Sequence, residues 1–264
     1  MVVLEKFFSF LVSLWIMGVR EQLYQAITLA MVVLVLDFLE RHRPGYTVHR
    51  QRDLPLNILA LLIVIVAGEM WKTLLLYGLN VLNPGRIISA ASLHGFPGAV
   101  KIVLGLILAD LSLYWVHRAM HRPWLWRTHT FHHSIGEIWW LAGSRTSLVH
   151  LLLFAGPQIF VAFHLLVLTP WEAGVAFSLG VVVNVWIHTN LSVNLGHLEK
   201  ILITPNYHRI HHGAKGLSNM NLGFIFTFWD RMFGTYVNPR LMGKDFAIGF
   251  VSTRNRLLPM IVGL

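Results

Sequence analysis

Histidine dominates the chemistry available to this chain. Of its fifteen histidines, nine fall in an ordered pattern: His117-x3-His121, His129-x2-His132-His133, His188, and His208-x2-His211-His212. Residues i, i+3 and i+4 share one face of a helix, so each box aims its imidazoles at one point. At the chain's histidine frequency, one His-x2-His-His arises by chance in about one such chain in twenty and two in about one in a thousand, so the boxes read as metal ligands. The chain has no cysteine, which leaves nitrogen and oxygen as the only donors. Nine imidazoles exceed the roughly four to six ligands that one ion takes, and two metals sharing the cluster is the economical reading. Imidazole suits iron, zinc, copper and nickel alike.

Such ligands need acceptors for their second ring N–H. Asp110, Glu137 and Asp230 are candidates, with Asn184, Asn190 and Asn206. Asp110 stands seven residues before His117, on the same helical face and inside an apolar run. The remaining histidines, His42, His49, His94, His150, His164 and His197, stand alone and read as structural or interfacial.

The elements that carry these residues are apolar. The chain is 55% hydrophobic and 12% charged with a mean hydropathy of +0.61, whereas a soluble domain is about 25% charged. Apolar stretches run from Phe7 to Val19, Ala26 to Leu36, Leu54 to Leu79, Val100 to Val116, Leu148 to Leu168 and Ala173 to Ile187, against the ~20 residues of a full span. The first lacks an A-x-A-like cleavage site and is read as a retained anchor. Net charge is +9 and the pI near 10.3, with the arginines beside apolar runs, so anionic lipid headgroups rather than nucleic acid are the expected counter-charge.

Arginines collect in alternate connections. Arg41, Arg43, Arg50 and Arg52 form one basic segment, Arg118, Arg122, Arg127 and Arg145 a second, and Lys200, Arg209, Lys215 and Arg231 a third. The connection from Asn80 to Pro97 carries only Arg86, and the turn Thr169-Pro170-Trp171-Glu172 is acidic. Two helical hairpins therefore deliver every histidine box to one face, expected to be the cytoplasmic one. Pro123 breaks any single helix through the first two boxes, so two helices meet there. The expected fold is an all-α integral membrane protein of transmembrane hairpins carrying a cytoplasmic-face helical metal domain. Residues 1–108 make the N-terminal spans, 109–240 the catalytic part and 241–264 a C-terminal tail, as one structural unit.

The ordered boxes, the run Tyr114-Trp115-Val116-His117-Arg118, the stretch Thr204-Pro205-Asn206-Tyr207-His208-Arg209-Ile210-His211-His212-Gly213 and the segment Phe228-Trp229-Asp230-Arg231-Met232-Phe233-Gly234-Thr235-Tyr236 together resemble the fatty acid hydroxylase and sterol desaturase superfamily. Trp186-Ile187-His188-Thr189-Asn190-Leu191 with Gly196-His197-Leu198-Glu199 is similar to its alkylglycerol monooxygenase branch. Ser192 stands where some members carry a further histidine, and Tyr207 where some have one before the last box, leaving His197 or a water as stand-ins for a tenth ligand. Arg122 follows the first box where that branch tends to have an acidic residue.

That resemblance implies a non-haem di-iron centre held by His117, His121, His129, His132, His133, His188, His208, His211 and His212, using O2 to hydroxylate or desaturate a lipid, with zinc as the alternative metal. No flavin, haem or iron–sulfur fingerprint occurs in the sequence, so electrons must come from an external carrier such as a ferredoxin or a cytochrome b5-like protein. Trp115, Trp124, Trp126, Phe131, Trp139 and Trp140 line a lipid tunnel or form an interfacial belt. Two other classes share the ligand frame. A metal transporter would place its site at the bilayer midplane, and a zinc hydrolase would need a base such as Glu137.

Overall fold

A computed structural model describes residues 26–82, 95–214, 217–241, 248–249 and 257–264. The stretch from Phe7 to Val19 and the residue Arg86 lie outside them. The described residues are helical, with three isolated β-bridges and no strand.

The first helix, α1 (26–42), ends in Asp37, Glu40 and Arg41. After a 3-10 turn at Arg50–Asp53 come α2 (Leu54–Leu82), α3 (Gly98–Met120) and the short α4 (Trp126–His133). Helix α5 (Leu148–Ile159) runs into a π-helical turn at Phe160–Leu165, where Pro157 has already removed a backbone donor. Helix α6 (Pro170–Ile187) follows, and then α7 (Pro205–His211), α8 (Phe228–Met232) and α9 (Leu257–Val262).

Four helical stretches are long and apolar enough to cross a membrane: Arg50–Leu82, Gly98–Met120, Leu148–Leu165 and Pro170–Ile187. The most apolar part of each is only 11–28% buried against the protein. Apolar surface on that scale, including Leu62, Ile65 and Val66 of α2, must find lipid rather than water. The chain is a membrane protein. Helix α2 packs on α5, and α3 on α5 and α6.

The ends of the spans show why the histidines meet. The boxes belong to the C-terminal end of α3, to α4, to the residue after α6 and to α7, with the N-terminus of α5 against α4. At the opposite end, Thr169 and Glu172 form a capping box at the start of α6, and Glu172 also pairs with Lys101 at the start of α3, 2.8 Å away. The acidic turn expected there is thus a helix cap. Glu40, fully buried, docks α1 onto the histidine end by accepting from the backbone N–H groups of Trp140 and Asn190 and from Arg50. The final helix is folded onto the same region: Met260 packs with Phe131 of α4 and Ala60 of α2.

Candidate metal centre

Met120 ends α3 and His121 caps it, with Pro123 in the turn before α4. This break redirects the chain so that His117 and His121 face His129 and His133. His188 caps the C-terminus of α6, and His208, His211 and His212 come from α7 and its cap, whose start is fixed by the Thr204 hydroxyl accepting from the Tyr207 N–H. All nine histidines converge, in two adjoining groups: His117, His121, His129, His133 and His211 in one, and His132, His188, His208 and His212 in the other. Within each group the ligand nitrogens lie within 4.8 Å of one another. The groups meet where the rings of His132 and His133 contact His212, at centroid distances of 4.6 and 4.7 Å.

Four rings have their orientation and tautomer set by backbone carbonyls. Nδ1 of His117 donates to Leu222 O at 2.7 Å, that of His132 to Arg145 O at 3.1 Å, that of His188 to Asn184 O at 2.7 Å and that of His211 to Met220 O at 3.1 Å. A carbonyl only accepts, so each ring carries its proton on Nδ1 and presents a bare Nε2 lone pair. Three of those lone pairs point at other histidines: His117 Nε2 is 2.9 Å from His129 Nε2, His211 Nε2 is 3.0 Å from His133 Nε2, and His188 Nε2 is 3.0 Å from His208 Nε2.

The protein alone does not satisfy this arrangement. His208 Nε2 has a second nitrogen, His212 Nε2, at 3.1 Å, and a single proton can serve only one of the two. His121 Nε2, His208 Nδ1 and His212 Nδ1 are buried without any partner. Burial pushes the proton affinity of His121, His129, His132, His133, His208, His211 and His212 well down, and brings His188 to about 4, so the rings are neutral donors at physiological pH. Neutral imidazoles converging in two sets fit two transition-metal ions, and no carboxylate belongs to either set.

The expected outer acceptors act at one remove. Neither Asp110 nor Asp230 has a histidine among its hydrogen-bond partners. Asp110 accepts from the backbone N–H groups of Ile225 and Phe226 and from Trp229 Nε1, and Asp230 from those of Leu222 and Gly223 and from the hydroxyls of Tyr207 and Thr235. Both hold the 222–226 loop whose carbonyl receives His117. Asn184 contributes its backbone oxygen, while its side chain reaches Gly143 O at 3.4 Å. Asn206 bonds Tyr46, Ser192 and Val193, and Asn190 bonds Tyr46 O and Arg209, away from the rings. Glu137 is engaged with the backbone and ring of His49, outside both groups, so it is not placed as a hydrolytic base.

One expectation about a lone histidine is corrected. His197 lies exposed on a 3-10 turn and cannot complete the ligand set. Beside the two groups, and belonging to neither, is His150, buried in the first turn of α5, whose Nδ1 lies 3.2 Å from His129 Nδ1. Sequence alone offered only an isolated histidine in an apolar run. Ser147 positions it, accepting from the His150 N–H while its hydroxyl donates to Thr128 O of α4. Asn221 was also missed. Buried, with φ +55, it bonds Tyr207 O and Val237 at both oxygen and nitrogen, and so fixes the residue before Leu222. Gly143 leaves space for His188, because a Cβ there would stand 2.6 Å from the ring. Of the aromatics near the boxes, Trp126 packs on His121 and His133, Phe131 and Trp139 are core, and Trp115 and Trp124 are exposed.

Comparison with known proteins agrees with this geometry. An ornithine lipid hydroxylase from Rhizobium tropici is 34% identical over 152 residues, covering 54% of this chain and 44% of the relative. The alkylglycerol monooxygenase of Danio rerio is 35% identical over 135 residues, 50% of this chain and 30% of the relative. A Delta(7)-sterol 5(6)-desaturase of Gibberella zeae is 27% identical over 146 residues, 53% of this chain and 43% of the relative. The matched part thus spans less than half the length of each of these relatives, none of which is named as a transporter or a hydrolase. No solved structure matches. The fatty acid hydroxylase family model matches residues 102–235, half of the chain with every one of the nine clustered histidines, and the chain belongs to that family.

Proposed function

We propose that the nine histidines hold two iron ions, and that the protein is a membrane oxygenase that hydroxylates or desaturates a lipid C–H bond with O2 and electrons from a separate carrier. The observation that carries this reading is the set of four carbonyl-fixed rings whose bare Nε2 atoms converge in two buried groups. Bound iron supplies the activation of O2 and the oxidation of the lipid. The chain's own part is to keep nine imidazoles neutral, to hold their orientation through backbone acceptors, and to keep water from the centre by burying it. The relatives named for hydroxylation, monooxygenation and desaturation of lipids or sterols support this class of substrate and leave its identity open.

In this reading residues 1–108 anchor the protein, 109–240 carry the chemistry and 241–264 form a C-terminal tail. The excess of arginine at the histidine end supports a cytoplasmic orientation. Arg122 and Arg127 are exposed at that end, a surface suited to an acidic carrier such as a ferredoxin or a cytochrome b5-like protein. The test is elemental analysis of detergent-solubilised protein beside the double variant His132→Ala, His211→Ala. About two irons per chain, lost in the variant, are expected. Zinc alone after anaerobic purification with iron supplied would turn the reading toward hydrolysis, and no metal at all would overturn it.

A further inference from the structure

Behind α7, on the side away from the rings, lies an open cleft of about 960 Å³, walled by Glu40, Arg41, Tyr46, Arg50, Glu137 and Arg209 among others. Arg209 directly follows His208, and the turn of the helix between consecutive residues carries its side chain off the face that bears His208, His211 and His212. The residue is only 6% exposed. Its guanidinium lies over the Tyr46 ring at 3.7 Å, and Nη2 donates to Asn190 Oδ1 at 3.1 Å. Nε is buried with no acceptor, and among the described residues no carboxylate lies within ion-pair distance.

The other charges of this wall are matched. Arg41 and Arg50 both pair with Asp37, at 2.6 and 2.9 Å, and Arg50 also pairs with Glu40 at 2.5 Å. The second oxygen of Glu40 takes the N–H groups of Trp140 and Asn190. Glu137 is bound to His49. Arg209 is therefore the buried guanidinium of the cleft without a carboxylate in ion-pair contact, Glu40 acting on it only from beyond that distance. A guanidinium presents five N–H donors in a fork that matches the oxygens of phosphate and carboxylate, and its burial without a counter-ion is costly.

We propose that this cleft is an oxyanion site, in which Arg209 on its Tyr46 platform binds a phosphate or carboxylate group, either on the headgroup of an amphiphile or free in solution. The location favours such a ligand, because the cleft opens at the arginine-rich end of the spans, where headgroups and solutes both have access. The site uses none of the ligand nitrogens, so the proposal stands apart from the oxygenase reading.

The test is calorimetric titration of the full-length protein in neutral detergent with inorganic phosphate and with dihexanoyl phosphatidate, using uncharged dihexanoylglycerol as the control. Saturable binding of an anionic titrant is expected, weakened about tenfold or more by Arg209→Gln and partly retained by Arg209→Lys, which keeps the charge but not the fork. Binding of phosphate alone assigns a free anion, and binding of phosphatidate alone assigns a headgroup. Tyr46→Leu removes the platform together with the hydroxyl that reaches Asn206 of α7, whereas Tyr46→Phe removes that hydroxyl alone; binding weakened several-fold by the first and kept by the second is expected, so the pair decides the matter should Arg209→Gln fail to fold. Failure of both anions to saturate, or equal affinity in wild type, Arg209→Gln and Tyr46→Leu, would overturn the site. Metal content is measured on the same samples: anion binding without iron sinks the oxygenase reading only, and iron without anion binding sinks this site only.

Discussion

His117 and Asp230 hold the two ends of one residue: Leu222 gives its N–H to Asp230 Oδ1 at 2.7 Å and receives the His117 Nδ1 proton on its carbonyl at 2.7 Å. A carboxylate in α8 thereby sets the angle of an imidazole at the end of a membrane helix. Asp230 accepts four bonds in all, and every one comes from a group that packs around the third box or the 222–223 turn. Substituting Asp230→Asn puts N–H donors against those N–H groups. A destabilisation on the order of 2–3 kcal/mol is expected, with metal affinity falling about tenfold or more as His117 loses its anchor. Resistance of bound metal to a graded chelator challenge is the measurement, and unchanged retention would show that Leu222 does not depend on Asp230.

Gly143 permits the second group of histidines. A Cβ at this position would meet Cγ and Nδ1 of His188, each at 2.6 Å, and the ring has no room to retreat because its Nδ1 is held by Asn184 O. Gly143→Ala is expected to displace His188 from His208 and His212 while leaving the five-histidine group intact. The metal-to-protein ratio should fall by about half, a partial loss that distinguishes this variant from general unfolding. Full occupancy in a folded Gly143→Ala protein would show that His188 is dispensable as a ligand.

Much of this centre is legible in the residues themselves. Helical spacing alone groups His117 with His121 and His129 with His132 and His133, and Pro123 places the break between them. Apolar length finds the spans, although α2 and α3 extend several residues past the runs from Leu54 to Leu79 and from Val100 to Val116. The ring partners are a different matter. Leu222, Arg145, Asn184 and Met220 act through carbonyl oxygens, which every residue possesses, so no side-chain type advertises them. For the same reason Asp110 and Asp230, which the sequence singles out, act through the 222–226 backbone rather than directly on the imidazoles. The Thr169-x-x-Glu172 capping box carried a sequence signature, whereas its reading as an acidic turn used only its charge.

His150 holds His129 by a bond between two Nδ1 atoms, where other rings use a carbonyl. If His129 gives its Nε2 lone pair to a metal, its proton sits on Nδ1 and His150 accepts it. His150→Phe keeps a ring in the site but removes the acceptor, and a loss of about 10- to 100-fold in metal affinity is expected. His150→Gln, which offers an oxygen, should recover part of it. His197→Ala, at an exposed turn, should leave metal content unchanged. Metal titration of the metal-free proteins separates these outcomes; equal affinity in wild type and His150→Phe would reduce His150 to packing.

The metal-free protein should be acid-labile over a particular range. The eight clustered histidines outside the spanning helices have their proton affinity lowered by burial, His188 to about 4 and several others well below the usual imidazole range. In the unfolded chain each would titrate near the ordinary value of about 6.5. Between those limits the unfolded state binds more protons than the folded one, so stability rises with pH across the interval and falls as acid is added. Above about 7 both states are unprotonated and the dependence vanishes. Thermal unfolding of metal-stripped protein in detergent, stepped from pH 8 to pH 5, should therefore show a flat midpoint that drops progressively below about pH 7. A midpoint that stays level or rises through this range would mean that the rings take up protons in place, and that they are not held as the neutral donors a metal centre requires.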